Sequence, residues 1–270
     1  MSASVFTVPG GTKLNVGNYS DHVTVLGNGT IIAGQAPYTM SAVIEGNGVF
    51  QGGNGDDNVG IWGKLGSISV GSGNDTLYLW ANGTINQTGT TGMDTINLYT
   101  GDDTIFEQGH ATVNGSSYGS FGGATIAGGE LKVVQADGFV KDTAVSGTMT
   151  LLGSAAPTQF IGGTGSTDMI GGSGSDTFVG GSGYDTMTGG SGSNVFEFLK
   201  SEAGGQHVIT NFVSGDQLYV EGESLSFLQS HHDISVSGGN TYISIDGGST
   251  TIELKGVTSL SSSDIITHKP

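Results

Sequence analysis

Cysteine and arginine are both absent from this 270-residue chain, and proline occurs only four times. Without cysteine no disulfide framework can brace the fold, whatever the redox compartment. Without arginine, and with seven lysines against 24 acidic residues, the chain has no cationic stripe for a polyanion, so nucleic acid is not an expected partner. No apolar run approaches the ~18 residues of a spanning helix, and no transmembrane segment is expected. The first residues, MSASVFTVPGG, lack a basic stretch followed by an apolar one, so a secretory leader of the ordinary kind is not expected there. No HExxH is present, which removes the usual helix-borne zinc site of metalloproteases.

What the chain does have is glycine, 51 residues of it, with a net charge of −17 and 35% hydrophobic residues. That hydrophobic share is enough for a core, and the glycines are periodic. Residues 162–197 read as four consecutive nonapeptides, GGTGSTDMI, GGSGSDTFV, GGSGYDTMT and GGSGSNVFE, on the template GG-x-G-x-D-x-U-x, where U is large and apolar. The first six residues make a tight turn whose backbone needs glycine. That turn aims carbonyl oxygens inward and adds the carboxylate of its sixth residue, a hard oxygen set that suits Ca²⁺. The last three residues form a short strand that sends Met169, Phe178, Met187 and Phe196 into the core.

These nonapeptides resemble the RTX, or haemolysin-type, calcium-binding repeat. The resemblance implies a right-handed parallel β-roll with two nonapeptides per turn and calcium held between stacked turns. It implies that Gly172, Gly174 and Asp176 face Gly189, Ser191 and Asn194. On the other side Gly163 and Gly165 would face the turn Gly180, Gly181, Ser182, Gly183 and Asp185. Thr167 and Asn194 stand where the family has Asp, so each of these sites keeps one full carboxylate, and Asp168 substitutes only after a local shift.

The rhythm is already present upstream. GGNGDDNVG (52–60) matches in full, and VGSGNDTLY (70–78), GTTGMDTIN (89–97) and LYTGDDTIF (98–106) follow. They supply Gly53, Gly55 and Asp57 opposite Ser72, Gly73 and Asp75, then Asp94 and Asp103. Ile68 and Ile85 keep the apolar beat between them. A β-solenoid through most of residues 20–200 is the economical reading, with a short helix expected in SLSFLQSHHD (224–233).

The segment VFEFLKSEAGGQHVITNFVSGDQLYVEG (195–222) resembles the closing part of the rolls of serralysin-type proteases. The family usually has an acid where His207 and Asn211 stand, which leaves Asp216 as the candidate ligand there. NTYISIDGGSTTIELKGVTSL (240–260) reads as a hairpin around a GG turn, a cap for the open end of the roll. The tail SLSSSDIITHKP resembles an uncleaved type I secretion signal. The expected organisation is thus an N-terminal solenoid with degenerate repeats (1–130), a calcium-binding roll (131–200), and capping strands with the export signal (201–270).

Catalytic residues are not expected. Gly115-Ser116-Ser117-Tyr118-Gly119 fits GxSxG, yet an esterase elbow needs a strand–turn–helix setting and Asp and His partners. In a chain so rich in Gly and Ser the match is fortuitous. His231-His232-Asp233 is expected to face solvent and not to hold a metal, because adjacent residues on a strand point to opposite sides. Trp62, Trp80, Tyr99 and Tyr118 recur once per turn, and strand alternation sends them outward as a column. Such a column would stack on sugar rings or dock another chain, unless a covering segment makes it a second small core.

The sequence therefore points to an all-β parallel β-roll or β-solenoid with calcium-binding turns and a C-terminal hairpin cap. It reads as a secreted, non-catalytic calcium binder, exported from a bacterium by type I secretion, acting at the cell surface or in the extracellular matrix in adhesion, biofilm or surface-layer assembly. Extracellular polysaccharide, a cell-surface component and self-association are its expected partners. The rival readings are a polysaccharide lyase or epimerase on a β-helix and a calcium-dependent carbohydrate-binding module.

Overall fold

A computed structural model describes residues 5–8, 11–17, 22–26, 29–33, 41–45, 47–62, 66–80, 82–87, 92–99, 101–115, 121–142 and 148–269. The chain divides into two compact units, Met1–Gln135 and Ala136–Pro270, and both are parallel β-solenoids.

The N-terminal unit is built from β1 (Val5–Val8), β2 (Lys13–Gly17), β3 (His22–Leu26), β4 (Thr30–Ala33), β5 (Ser41–Glu45), β6 (Val49–Gln51), β7 (Asn58–Ile61), β8 (Gly66–Val70), β9 (Thr76–Leu79), β10 (Gly83–Gln87), β11 (Met93–Leu98) and β12 (Gly101–Gly115). Strand β13 (Phe121–Asp142) begins in this unit and pairs with β12 as far as Val134. Each strand pairs in parallel with the strand two further on. One sheet runs β1–β3–β5–β7–β9–β11 and the other β2–β4–β6–β8–β10–β12. The alternation of strand side chains then fixes the core. Val23, Ala42, Val59, Leu77, Ile96 and Val113 stack in register on one wall, and Ile31, Phe50, Ile68, Ile85 and Ile105 on the other. All are buried. Ile68 and Ile85 thus keep the beat their spacing predicts.

The C-terminal unit repeats the plan with β14 (Thr148–Ile161), β15 (Ser166–Ile170), β16 (Thr177–Val179), β17 (Tyr184–Thr188), β18 (Val195–Phe198), β19 (Gly205–Asn211) and β20 (Gln217–Val220). Met169, Phe178, Met187 and Phe196 are all fully buried, as the repeat predicts. Phe160, Phe178 and Phe196 form an inner ladder with ring centroids 5.1 and 4.9 Å apart.

Helix α1 (Leu225–Ser230) follows, capped by the Ser224 hydroxyl, which accepts the Phe227 amide proton. Strands β21 (Ile234–Ser237), β22 (Asn240–Ile245) and β23 (Thr250–Leu254) are antiparallel, and β23 adds in parallel to β19. The expected hairpin is therefore the device that closes the solenoid. The serine-rich tail ends the second sheet as β24 (Ile265–Ile266), paired with β20 and with Ile265 buried. Among the described residues no helix is long and apolar enough to cross a membrane.

Candidate functional site: ladders of buried oxygen at the turn edges

Because one turn takes two strands, every second turn returns to the same edge of the solenoid, and the sixth residues of the repeats stack there. In the N-terminal unit Asp57, Asp75 and Asp94 form one such ladder. The Asp57 amide donates to Asp75 Oδ1 at 2.7 Å, and the Asp75 amide to Asp94 Oδ1 at 2.9 Å. All three residues are buried. The turns between them touch backbone to backbone: a side chain at Gly71 would meet the Gly53 carbonyl, and one at Gly73 the Gly55 carbonyl. The sets Gly53, Gly55, Asp57 and Ser72, Gly73, Asp75 are thus brought together. Asp103 lies on the opposite edge, where its Oδ1 accepts the Gly83 amide at 2.9 Å.

The C-terminal unit carries two ladders. On one edge Thr158, Asp176, Asn194 and Asp216 follow one another, each amide donating to the next side-chain oxygen at 2.8 to 2.9 Å. The turns of this edge stack as the repeat implies. The Ser191 amide donates to the Gly172 carbonyl at 3.0 Å, and Gly192 (φ +88°) sits against the Gly174 carbonyl, where no side chain would fit. On the other edge come Thr167, Asp185 and His207, in register. The Gly163 and Gly165 carbonyls accept the Ser182 and Tyr184 amides at 3.1 and 3.2 Å, and Gly181 and Gly183 lie against those same carbonyls. Asp168 is not in a ladder: register pairs it with Thr150 and Thr186 on the outward face of β15.

One member of these ladders had little sequence signal. Thr158 precedes Asp176 by one turn, but its segment GSAAPTQFI lacks the glycine pattern. Asp216 and His207 follow longer turns of 22 residues.

Burial decides the electrostatics. Asp75 is pushed from its ordinary 3.8 up to about 8. Loss of hydration is the largest cause, the Asp57 amide offsets part of it, and the charges of Asp94, Asp57 and Asp56 add to it. Asp176 is raised by the same loss of hydration, partly offset by the amides of Thr158 and Gly172. Burial alone raises Asp168.

A hard divalent cation fits this donor set. Asp75 Oδ2 is buried and accepts no hydrogen bond. The turn carbonyls that accept one amide proton each keep a second lone pair. Among the described residues no three His, Asp or Glu side chains converge on a metal position, so main-chain oxygen would supply much of any coordination shell. Oxygen-only sites of that kind suit calcium.

The aromatic column is present as spaced. Trp62 and Trp80 stack with centroids 3.9 Å apart and planes 10° from parallel, and Trp80 and Tyr99 at 4.4 Å and 2°. Tyr118, like the rest of the GxSxG stretch after Gly115, lies outside the described residues. Stacking this close covers both faces of the Trp80 ring and leaves the outer face of Trp62, which is 54% exposed. A sugar ring could not lie flat on Trp80 without parting the stack. Trp80→Ala removes three stacked contacts, with Trp62, Tyr78 and Tyr99, and should destabilise the N-terminal unit by about 2 kcal/mol. Trp62→Ala, which removes one, should cost about half as much, an order that urea unfolding of the two variants checks. His231 stacks on Phe227 at 3.9 Å at the end of α1, and both it and His232 are exposed.

No family model matches the chain, and no curated protein matches it. Among solved structures it is similar to the extracellular lipase LipA from Serratia marcescens, with a TM-score of 0.38 and 16% identity. That likeness covers 92% of this chain and 45% of the lipase chain, so the chain spans less than half the length of that protein.

Proposed function

We propose that this chain is a secreted, non-catalytic calcium-binding β-roll protein of the RTX kind, and that calcium completes its fold outside the cell. The observation that carries the reading is the ladders of buried side-chain oxygen, with a carboxylate on every turn from Asp57 to Asp94 and, in the C-terminal unit, those of Asp176, Asp185 and Asp216, set between closely stacked glycine turns. Buried carboxylates this close repel one another and lose hydration, so the apo chain pays for each rung it closes. A cation held between rungs reverses that cost, and because its ligand set exists only in the folded chain, binding free energy becomes folding free energy.

This supports an export logic. With cytosolic calcium low, the chain stays open enough to pass a type I secretion channel. Extracellular calcium then lies in the ~10⁻⁴–10⁻³ M range in which extracellular calcium modules bind. Surface or matrix roles, adhesion and biofilm or surface-layer assembly among them, are the uses such a protein would serve. Extracellular polysaccharide or a cell-surface component is the partner it would meet there.

Far-UV circular dichroism of the chelator-stripped protein during a calcium titration tests the reading, with magnesium as control. The expected result is a gain of β signal with calcium near millimolar and none with magnesium, which dehydrates reluctantly and demands octahedral geometry. A chain fully folded without calcium and indifferent to it would overturn the proposal and leave the turns as scaffold only.

A further inference from the structure

We propose that folding withdraws the C-terminal tail from solvent, so that the export signal it carries can be read only while the chain is open. The inference rests on the reading of SLSSSDIITHKP as a type I signal and adds the device that switches that signal off. The tail is built into the sheet. Ile265 and Ile266 lie as β24 beside Leu218 and Tyr219 of β20, and Ile265 is 4% exposed. The Leu218 amide donates to the Asp264 carbonyl at 2.7 Å, and Gln217 Nε2 donates to the Ser263 carbonyl at 3.4 Å. Asp264 also sets the turn that leads into the strand, its Oδ2 accepting the Ser261 amide at 2.6 Å.

A second fastening lies beyond the strand. Alternation along β18 sends Phe196 inward and Glu197 outward, yet Glu197 is only 1% exposed. Among the described residues it is the one buried acid that does not stand at a turn. Register places it beside Tyr219 of β20. Lys269, past the end of β24, reaches back across β20 and sets its Nζ 3.0 Å from Glu197 Oε2. The lysine side chain stays 52% exposed while the carboxylate beneath it is 1% exposed. A carboxylate out of water is costly without a partner, and removing that partner leaves the cost in full. The ion pair therefore clasps the tail down over β18.

The seat of the tail is made by the last rung of the oxygen ladder. Strand β20 starts at Gln217, directly after Asp216. The Asn194 amide donates to Asp216 Oδ1 at 2.9 Å, and the Gln217 amide to the Asn194 carbonyl at 2.8 Å. Until that rung closes, β20 has no fixed edge for β24 to join, and a strand as short as β24 cannot hold alone. The order is therefore fixed: the rung closes, β20 forms, the tail docks and Lys269 covers Glu197. Once outside the cell, the segment that directed the chain there becomes the last strand of its sheet. The docking itself does not depend on the calcium reading, because any condition that folds the roll completes the seat.

The experiment exploits the absence of cysteine. Ile265→Cys and Ser262→Cys each give the full chain a single thiol, one in the buried strand and one on the exposed run before it. Their reaction with a maleimide is timed in calcium buffer and in urea. Folding should slow Ile265→Cys by at least about a hundredfold and leave Ser262→Cys nearly unchanged. Adding Lys269→Ala should speed Ile265→Cys several-fold with no loss of β signal. Glu197→Gln added to that pair should restore most of the protection, since no buried charge is then unpaired. The unsubstituted chain guards against a cysteine that fails to seat: its Leu218 amide should exchange slowly with solvent, and fast in a chain ending at Leu260. Equal reactivity of the two thiols in a folded chain would overturn the docking. Export of the chain ending at Leu260 through a type I channel would overturn the inference by its other premise, with the thiol result still reporting a docked strand.

Discussion

Stripped of calcium, the N-terminal unit should lose stability as pH rises through about 8, the value to which Asp75 is pushed, and added calcium should abolish the loss. Asp75 holds its proton more tightly in the folded state than in the unfolded chain, where its ordinary value is 3.8. Its contribution is therefore fully present below 3.8, where both states are protonated, and gone once the folded-state carboxyl has ionised. Between those limits a single such group removes up to about 1.4 kcal/mol per pH unit. The charges of Asp94 and Asp57 both help to raise Asp75, so the profile reflects the ladder and not one residue in isolation. On the proposed reading calcium would take the place of the proton, and its binding should release protons and tighten as pH rises. Urea midpoints across pH, with and without calcium, measure this. Asp75→Asn keeps the Oδ1 acceptor for the Asp57 amide and has no proton to lose, so its calcium-free profile should be much flatter. A wild-type profile as flat as that of the variant would show that the carboxyl is not held out of water.

The fold was legible because its two periods are simple. A large apolar residue once per nonapeptide marked Phe178 and Phe196 as core, and glycine pairs marked the turns between strands. The ladders were legible wherever a turn keeps 18 residues, as between Asp57 and Asp75 or Asp176 and Asn194. Where the turn lengthens the repeat alone no longer gives the pairing. The 3-10 turn Lys200–Glu202 is inserted after β18, so the residue above Asp185 is His207, 22 positions on, and not Ala203, one regular turn on. Extrapolating the repeat misses that partner, and with it the carboxylate–imidazole contact. Thr158 was hidden for a different reason: a ladder's first rung only donates its amide to Asp176, and any residue can do that. The aromatic column shows a third limit. Spacing predicted that Trp62, Trp80 and Tyr99 align, but only the interplanar angles show that the rings cover one another's faces.

Gly183→Ala should be the most damaging single change in the C-terminal unit, costing more than about 3 kcal/mol. A methyl group there would collide with the Gly165 carbonyl oxygen and lie 2.8 Å from the Gly165 carbonyl carbon and 3.0 Å from that of Thr164. These are backbone atoms of the rung below, so no side-chain rotation relieves the clash and the rungs must part. Parting them breaks the Tyr184 amide's bond to the Gly165 carbonyl, 3.2 Å long, and loosens the contact of Met169 with Met187 in the core beneath. It also separates the carbonyls that would share a cation, so on the proposed reading more calcium should be needed to fold the same variant. Ser182→Ala is the control, because it keeps every main-chain oxygen of that turn and removes only a half-buried hydroxyl; it should stay within about 0.5 kcal/mol of the parent. Urea unfolding with calcium present compares the two. If Gly183→Ala matched Ser182→Ala, the rungs would stand further apart than close backbone stacking allows. The glycine of the repeat would then serve the turn's conformation alone and not the approach of one rung to the next.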